Sequence, residues 1–575
     1  MAIDGLDRIV SFLPMKNRLG TIWYRQRPLG GWNILCVTLA CYPQLHWLSA
    51  HNQFFDFEEA LLRLGLGSFL GLGVACFLSF LGPRTSRNPF LFLSRKTPRQ
   101  FCIGVSIILT TSAIGYPDQP FVTAVLLLGY FSNALDVLDE KTCYRVPWLS
   151  TQAIQRFLCW TIFLVALSTL YFREPELFHS PRFWAEDGKF FFAHFFNHRE
   201  PVELLKSWEY FRIIHNLTAY TTVHTVSVER APLVFTLVSA VASAIPIAII
   251  SFGQSRYWET PAKKLLIIWL YLLIPFSQET WLNLNGTSYT FTFASVLILM
   301  SGVTPANIWP YRLCIVISGL TGLLSCLFAP IFGVRAWLTK EREHLVLFLI
   351  LASCAILQLA IVFHSAFILR DGIHMRVLPA TLDTVALVIW ARTLATIVSI
   401  DLAQFFVNTF SSAISSPHTY TWSAILYGFI LVGILGWYAH RARDQGITLL
   451  ITCFVLLSVF STVFGIGGKG NTAFFHLTNG MRYFYIPAVI MALVLSSPIL
   501  LSSRPYSMRR FNWFGYILIT LMIHNGVSSY RAVNVYEESW PNWQEQVSIW
   551  RNNSDHLLKI WPRNWLIRLN PFEIR

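Results

Sequence analysis

Two adjacent carboxylates, Glu186 and Asp187, are the side chains in this sequence that are best placed to do chemistry. They belong to the hexapeptide Phe-Trp-Ala-Glu-Asp-Gly at residues 183–188, which follows a long apolar segment and precedes three phenylalanines at residues 190–192. Aromatic residues settle at the boundary between lipid and water, and a general base has its pKa tuned by partial burial or by a charged neighbour. The pair therefore provides one candidate base and one orienting or metal-binding partner, unless it only caps a helix that begins near Gly188.

Composition indicates the class of protein. Of the 575 residues, 54% are hydrophobic, 15% are aromatic and only 13% are charged, which is too apolar for a soluble chain of this size. The net charge of +14 comes from short Lys and Arg clusters between apolar segments, so it reports membrane topology rather than nucleic-acid binding. The 10 cysteines show no disulfide or zinc spacing. We expect an all-α polytopic membrane protein that contacts membrane lipids and no nucleic acid.

A crossing helix needs about 20 mostly apolar residues, and the apolar segments of this chain predict about 13–15 crossings. Five candidates precede the acidic pair and eight follow it: Ile34–Leu48, Leu61–Leu81, Phe101–Tyr116, Phe121–Leu138, Ile154–Tyr171, Ala231–Ser251, Lys264–Ser277, Tyr289–Ser301, Leu345–Phe363, Tyr420–Tyr438, Ile447–Phe464, Phe484–Leu501 and Asn512–Met522.

The segment Tyr311–Trp337 decides the topology. If it is a hairpin of two short helices broken around Gly319–Gly322, all the later basic clusters share the side of the basic N-terminus, as the positive-inside rule requires. A single crossing would place some of them on the opposite side. With the hairpin, five segments face outward and could converge on one site: Arg173–Arg230, Gln278–Ser288, His364–His418, Gly465–Arg482 and the tail after His524.

Two outward segments predict helices that lie along the membrane interface. Val385–Ile400 is apolar but carries Arg392, and residues 210–217 have apolar side chains at helical spacing. We divide the chain into an N-terminal membrane region of about four crossings at residues 1–150, a core at residues 151–529, and an outward Trp-rich extension at residues 530–575 that rests on the interface.

The order of motifs in the core resembles the bacterial integral-membrane glycosyltransferases of the GT-C superfamily. The acidic hexapeptide follows a span, Ala-Pro-Leu-Val-Phe at residues 231–235 opens the next one, and Ala-Ile-Pro at residues 244–246 lies late in it. Pro-Phe-Ser-Gln-Glu at residues 275–279, Asn-Leu-Asn-Gly-Thr at residues 283–287 and Arg-Tyr-Phe at residues 482–484 extend the likeness. It covers roughly Ile154–Arg575.

The resemblance implies a GT-C-like helical bundle that moves a sugar from a polyprenyl-phosphate donor to a glycan, lipid or protein acceptor. The reaction would be an inverting displacement at the outer face of the cytoplasmic (inner) membrane, with Glu186 or Asp187 as the general base. No cofactor is required, because arginine alone can balance the phosphate charge, although a divalent cation is compatible with the chemistry.

Charge grows on the lipid phosphate as its bond to the sugar breaks, so an outward cation should lie near it. The candidates for this role are Arg482, Arg370, Arg376 and His374. Arg482 stands at the mouth of a span, where a guanidinium can hold a phosphate with two hydrogen bonds. The alternatives are a snorkelling anchor for Arg482 and a turn with a local ion pair at residues 370–372.

Other polar and aromatic residues could bind the substrates. These are Trp184, Glu279, Trp281, Asn283, Asn285, Tyr483, Arg212 and His215. Ordinary loop structure is the alternative for Glu279, Trp281, Asn283 and Asn285, and interface packing is the first expectation for Arg212 and His215.

Two other classes of function remain open from the sequence. A transporter or flippase of lipid-linked sugars would carry ionisable groups at mid-span, whereas the apolar segments here are nearly free of them. An assembly role is also compatible, because the four N-terminal crossings could bind another membrane protein.

Overall fold

The computed structural model describes residues 151–365, 382–413, 417–465, 476–477, 480–501, 509–530, 542–562 and 565–570. The chain divides into two compact units, one of Met1–Ala153 with Asn512–Thr520 and one of Ile154–Phe511 with Leu521–Arg575. The four predicted N-terminal crossings lie outside the described residues. The site described below belongs to the second unit.

The described residues up to 365 are mainly helical. Their α-helices are α1 (Thr151–Arg173), α2 (Glu176–His179), α3 (Ala193–Asn197), α4 (Ile213–Thr225), α5 (Ala231–Phe252), α6 (Pro261–Leu272), α7 (Leu284–Met300), α8 (Ile308–Thr321), α9 (Leu323–Cys326), α10 (Ala329–Thr339) and α11 (Arg342–Phe363). A π-helical turn at Asp187–Phe192 and 3₁₀ turns at Pro201–Leu205, Val228–Arg230 and Gln278–Thr280 complete this part.

The later residues add further helices and one small sheet. The helices are α12 (Leu382–Ile389), α13 (Thr396–Val398), α14 (Ile400–Ala413), α15 (Pro417–Ala442), α16 (Gln445–Phe460), α17 (Met481–Leu500), α18 (Arg509–Ser528) and α19 (Trp543–Asn552), with π-helical turns at Trp390–Ala395 and Ser461–Gly465. Strands β1 (Leu558–Ile560) and β2 (Trp565–Ile567) pair antiparallel.

Six helices in the described part of the chain are long and apolar enough to cross a membrane, as in a multi-pass membrane protein. They lie at Arg156–Arg173, Val228–Phe252, Arg342–Phe363, Trp422–His440, Gln445–Phe464 and Met481–Leu500. Each coincides with a predicted crossing.

Two predicted crossings correspond to shorter helices. Lys264–Ser277 becomes α6 with 12 residues, and Tyr289–Ser301 becomes α7 with 17 residues. Both fall short of the about 20 residues that a crossing takes. Every residue of α7 is buried, so its apolar character reflects a central helix rather than contact with lipid. The predicted crossing Asn512–Met522 lies inside α18, which is not among the six.

The predicted break in the segment 311–337 is confirmed. Helices α8 and α9–α10 are bent by 118° at their junction. Gly322 lies at the break, and a Cβ there would come within 3.2 Å of Ser288 Oγ. The Ser288 hydroxyl also donates a hydrogen bond to the carbonyl oxygen of Thr321, which lies at the end of α8. The break therefore packs directly against α7.

The apolar segment predicted to lie along the interface forms α12, the following π-helical turn and α13, but it is buried. Leu387, Val388 and Ala391 have no exposed surface. Arg392 is also buried, because its guanidinium lies 4.4 Å from the ring centre of Phe484 and donates a hydrogen bond to the carbonyl oxygen of Leu477. Because Phe484 of α17 and the carbonyl oxygen of Leu477 contact the Arg392 guanidinium, the segment can pack inside the protein.

The C-terminal extension packs on the acidic loop. The main-chain N–H of Ala185 donates to the Trp561 carbonyl oxygen at 2.5 Å, and the N–H of Trp561 donates to the Phe183 carbonyl oxygen at 3.2 Å. Side chains of the loop, α4, α5, α19 and both strands share one apolar core. The extension therefore helps to fix the loop that carries Glu186.

Gly188 packs closely against the extension, so Gly188→Ala should disturb both the loop and the extension. An added Cβ would lie 2.7 Å from Ile560 Cδ1 and 2.9 Å from Phe183 Cβ. We expect a loss of about 1–3 kcal/mol in stability, measured by thermal unfolding in lipid nanodiscs. A second change, Ile560→Val, removes the Cδ1 atom and should recover part of the loss.

Gly433→Ala is the matched control, because an added Cβ in α15 meets nothing within 4 Å and alanine is the better helix former. Equal melting of the Gly188→Ala and Gly433→Ala variants would show that the loop and the extension are not tightly packed.

Candidate active site

One large cavity of about 770 Å³ lies beside the acidic loop. Its polar wall contains Glu186, Glu209, Arg212, Asn285 and Arg482. Its apolar wall comes from the break after α8 and from the adjoining ends of α11 and α16: Leu323, Leu324, Leu327, Ala355, Leu359, Val362, Phe460 and Phe464. Two of the helices in this apolar wall are among the six that could cross a membrane.

Glu186 is held by two donors. Arg482 Nη2 lies 3.0 Å from Oε1, and Asn285 Nδ2 lies 2.8 Å from Oε2. Arg212 Nη1 in turn donates to Asn285 Oδ1 at 2.8 Å. Burial by itself would raise the pKa of Glu186, but the charge and hydrogen bond of Arg482 outweigh burial and hold that pKa below its ordinary value. Glu186 is therefore ionised at neutral pH.

Asp187 faces a different space. Its carboxyl is 1% exposed and lines a cavity of about 20 Å³, roughly the room for one water molecule. Oδ2 accepts a hydrogen bond of 2.7 Å from the N–H of Leu284, the first residue of α7. Burial, reinforced by the charge of Glu186, raises the pKa of Asp187 to about 8. Asp187 therefore caps α7, whereas Glu186 faces the large cavity.

Local backbone conformation separates the two carboxylates. Glu186 has helical angles, φ −66° and ψ −32°, and the π-helical turn begins at Asp187. Adjacent residues on a helix project roughly 100° apart because each turn takes about 3.6 residues. The capping alternative for the helix near Gly188 is not what the structure shows, because no side-chain cap is present at the start of that turn.

The first turns of α7 and α17 position the remaining polar groups. Asn283 Oδ1 accepts from the N–H of Gly286 at 2.9 Å and so starts α7, and Asn285, two residues further on, reaches Glu186. Gly480 adopts φ 61°, a left-handed conformation that glycine accepts without strain, and α17 starts at the next residue. Arg482 thereby lies in the first turn of α17.

Five of the predicted site residues line the large cavity: Glu186, Arg212, Asn285, Arg482 and Tyr483. All but Tyr483, which directly follows Arg482, come from three of the segments that the sequence predicts to face outward. Trp565, from the tail, also lines the cavity. Arg370, Arg376 and His374 lie outside the described residues.

Four predicted residues lie away from this cavity because they support the fold. Trp281 donates from its indole to Ser277 Oγ at 3.1 Å, and Asn283 caps α7. Trp184 pairs with Trp561 in a β-bridge and, like the other two, lines the small cavity beside Asp187. His215 is fully buried with its ring 4.6 Å from that of Phe191; burial and the charge of Arg212 hold the pKa of His215 well below its ordinary value.

Glu279 lines neither of these two cavities. Its main-chain carbonyl oxygen accepts a hydrogen bond of 3.0 Å from Asn283 Nδ2, so it contributes to the turn that starts α7.

Several cavity residues were not predicted as site residues from the sequence. Ser288 and Tyr289 follow Asn285 by three and four positions on α7 and so share its face; this spacing could have identified them. Trp208, Glu209 and Tyr210 also line the cavity, although only Tyr210 figured in the sequence pattern, as a packing residue.

The described residues contain no group of three or more His, Cys, Asp or Glu side chains able to hold a metal ion. Glu186 lines the large cavity and Asp187 lines the small one.

No family model matches this sequence, and comparisons with curated proteins and with solved structures likewise found no match. The fold and the site themselves define a helical multi-pass membrane protein with a carboxylate and two arginines facing a partly apolar cavity.

The pKa of Asp187 predicts a pH dependence of stability. Its folded value of about 8 exceeds the ordinary 3.8, so the folded protein keeps a proton that the unfolded chain releases. Stability from this group is complete below about pH 4 and is lost as the pH rises through about 8. Asp187→Asn cannot titrate, so its melting temperature relative to the unchanged protein should rise between pH 5 and pH 8.

Asp555→Asn is the control, because this exposed aspartate lies outside both cavities. A difference in melting temperature between the Asp187→Asn variant and the unchanged protein that stays constant with pH would mean that Asp187 is ionised in the folded protein.

Proposed function

We propose that the protein is a membrane glycosyltransferase that moves a sugar from a polyprenyl-phosphate to an acceptor hydroxyl at the outer face of the cytoplasmic membrane. The observation that carries this proposal is the two-sided cavity. Its polar wall offers guanidinium groups to a phosphate and a carboxylate to a reacting hydroxyl, while its apolar wall offers hydrocarbon contact to a lipid chain. A lipid-linked phosphate sugar needs both walls.

Arg482 is the residue best suited to the donor phosphate. A guanidinium has five N–H donors, and Arg482 donates from Nη2 to Glu186. Its remaining donors can hold two phosphate oxygens in the planar geometry that arginine favours. The first turn of α17 also presents the positive end of the helix dipole. Arg212, joined to Glu186 through Asn285, adds a second positive charge at the same wall.

Glu186 is the proposed general base. The acceptor oxygen attacks the anomeric carbon as its proton passes to Glu186, and the bond between that carbon and the phosphate oxygen breaks with its electron pair left on the phosphate. The products are the glycosylated acceptor and polyprenyl phosphate. A phosphate bound at Arg482 offsets the positive charge that lowers the pKa of Glu186, so the carboxylate becomes a stronger base once the donor is bound.

A flippase of lipid-linked sugars would use the same two walls, but it would have no need of a base. A substitution of Glu186 that removes its basicity therefore distinguishes the two functions.

Glu186→Gln keeps the shape of the side chain and removes its basicity, so transfer should fall by a factor of about 10²–10⁴. Asp187→Asn should keep most of the activity, because Asp187 is already uncharged at neutral pH. Transfer would be measured with purified variants and the donor that accumulates in cells lacking the protein, identified by mass analysis of their lipids.

The opposite pattern, with transfer lost only in the Asp187→Asn variant, would identify Asp187 as the general base. Equal transfer by both variants and the unchanged protein would remove general-base catalysis from the acidic pair. Absence of transfer by the unchanged protein would favour the flippase.

Arg482→Lys should reduce transfer by about 10²-fold, because an ammonium group cannot reproduce the planar fork on the phosphate as charge develops. Arg312→Lys is the matched control: Arg312 also pairs with a glutamate, Glu343 at 2.8 Å, but does not line the large cavity. Normal transfer by the Arg482→Lys variant, at normal thermal stability, would reduce Arg482 to an anchor of α17.

A further inference from the structure

The cavity has a third group of lining residues that neither the lipid chain nor the phosphate explains. Phe190 lies between two tryptophans, with its ring centre 5.3 Å from that of Trp208 and 6.3 Å from that of Trp565. All three rings line the cavity. Trp565 belongs to β2 in the C-terminal extension, so this aromatic group is assembled from two distant parts of the chain.

This group has the chemistry of a sugar-binding surface. The faces of aromatic rings are electron-rich, and a pyranose presents a face of C–H groups that packs on them, while its hydroxyls seek polar partners at the edge. Trp208 Nε1 is buried and has no hydrogen-bond partner among the described residues. Such a donor calls for an explanation, and a sugar hydroxyl supplies one. The adjacent Glu209 also lines the cavity.

The position of the group relative to the base favours the acceptor. Phe190 follows Glu186 by four residues, nearly one turn of this π-helical segment, so both lie on nearly the same side of it. A sugar stacked there can present a hydroxyl to Glu186. The donor sugar adjoins the phosphate at Arg482 and the lipid chain takes the apolar wall, which leaves the aromatic group for the second substrate.

The extension is what brings Trp565 to this place. Trp561 exchanges main-chain hydrogen bonds with Phe183 and Ala185, on the N-terminal side of Glu186. The same strand pair that fixes the acidic loop therefore sets the position of the Trp565 ring. The charge of Lys189 lies 5.5 Å from the centre of that ring.

We propose that Phe190, Trp208 and Trp565 form an acceptor subsite for a pyranose, so that the acceptor is a glycan and the C-terminal extension is part of the active site. This assignment rests on the proposed function, since it names the second substrate of the same reaction.

The test begins with binding, which does not depend on transfer. The full-length protein in lipid nanodiscs would be examined by saturation-transfer difference NMR with methyl glycosides of glucose, mannose, galactose and N-acetylglucosamine. We expect binding of at least one glycoside, weakened about 10-fold by Trp565→Leu, as the loss of an aromatic partner implies. Trp565→Phe, which keeps a ring, should retain part of the affinity.

Leu566→Ala is the matched control, because Leu566 is the next residue of β2, is 41% exposed and points to the opposite face. It should bind glycosides as the unchanged protein does. In transfer assays Trp565→Leu should raise the KM for the acceptor and leave the KM for the donor unchanged, a split that a general loss of structure would not produce.

Absent glycoside binding, or equal binding by the Trp565→Leu and unchanged proteins, would overturn the subsite even if sugar transfer is observed. Glycoside binding that depends on Trp565 in a protein that transfers no sugar would support a pyranose site here and overturn only the proposed function.

Discussion

The ion pair between Glu186 and Arg482 is the interaction on which the rest of the site depends. Its partners are 296 positions apart in the chain, so the pair joins the acidic loop to α17. The side chains are only 21% and 19% exposed, and removing one member of a largely buried pair leaves an uncompensated charge that costs several kcal/mol. Asn285 completes the arrangement by binding the second carboxylate oxygen. Loop, α7 and α17 thereby meet at a single carboxyl group.

Asp187, the second acid of the doublet, supports this arrangement by binding the start of α7. Asp187 receives the first N–H of α7, and the following residue of that helix, Asn285, is the one that holds Glu186. The helical backbone at Glu186 makes the division possible, because it directs neighbouring side chains into separate spaces. One carboxyl therefore stays ionised beside two arginines, while the other is kept neutral by burial. The adjacent acids have opposite electrostatic roles.

Part of this site could be predicted from the sequence, and the rest could not. Polar residues at the mouths of apolar segments are conspicuous, which is why Glu186, Asn285 and Arg482 could be predicted. Sequence position does not reveal which way a loop residue faces. Trp184 and Trp281, expected at the substrate, line the small cavity beside Asp187 rather than the large one. In the described part of the chain, hydropathy and length likewise identify six helices that could cross a membrane, but hydropathy does not distinguish lipid from protein as the apolar environment. The fully buried α7 shows the difference.

On the proposed function, the ion pair also explains how the reaction can proceed without creating new charge. Before transfer, the negative charge next to Arg482 is on Glu186; when the carboxylate takes the acceptor proton, that charge disappears as an equal one develops on the departing phosphate. A guanidinium that contacts both groups can remain where it is while the charge moves from one of its partners to the other. The donors are already in place, so little reorganisation is needed in the transition state. A carboxylate paired with arginine is a weak base as long as no other anion shares that arginine. Such a carboxylate is therefore suited to a reaction whose leaving group is an anion.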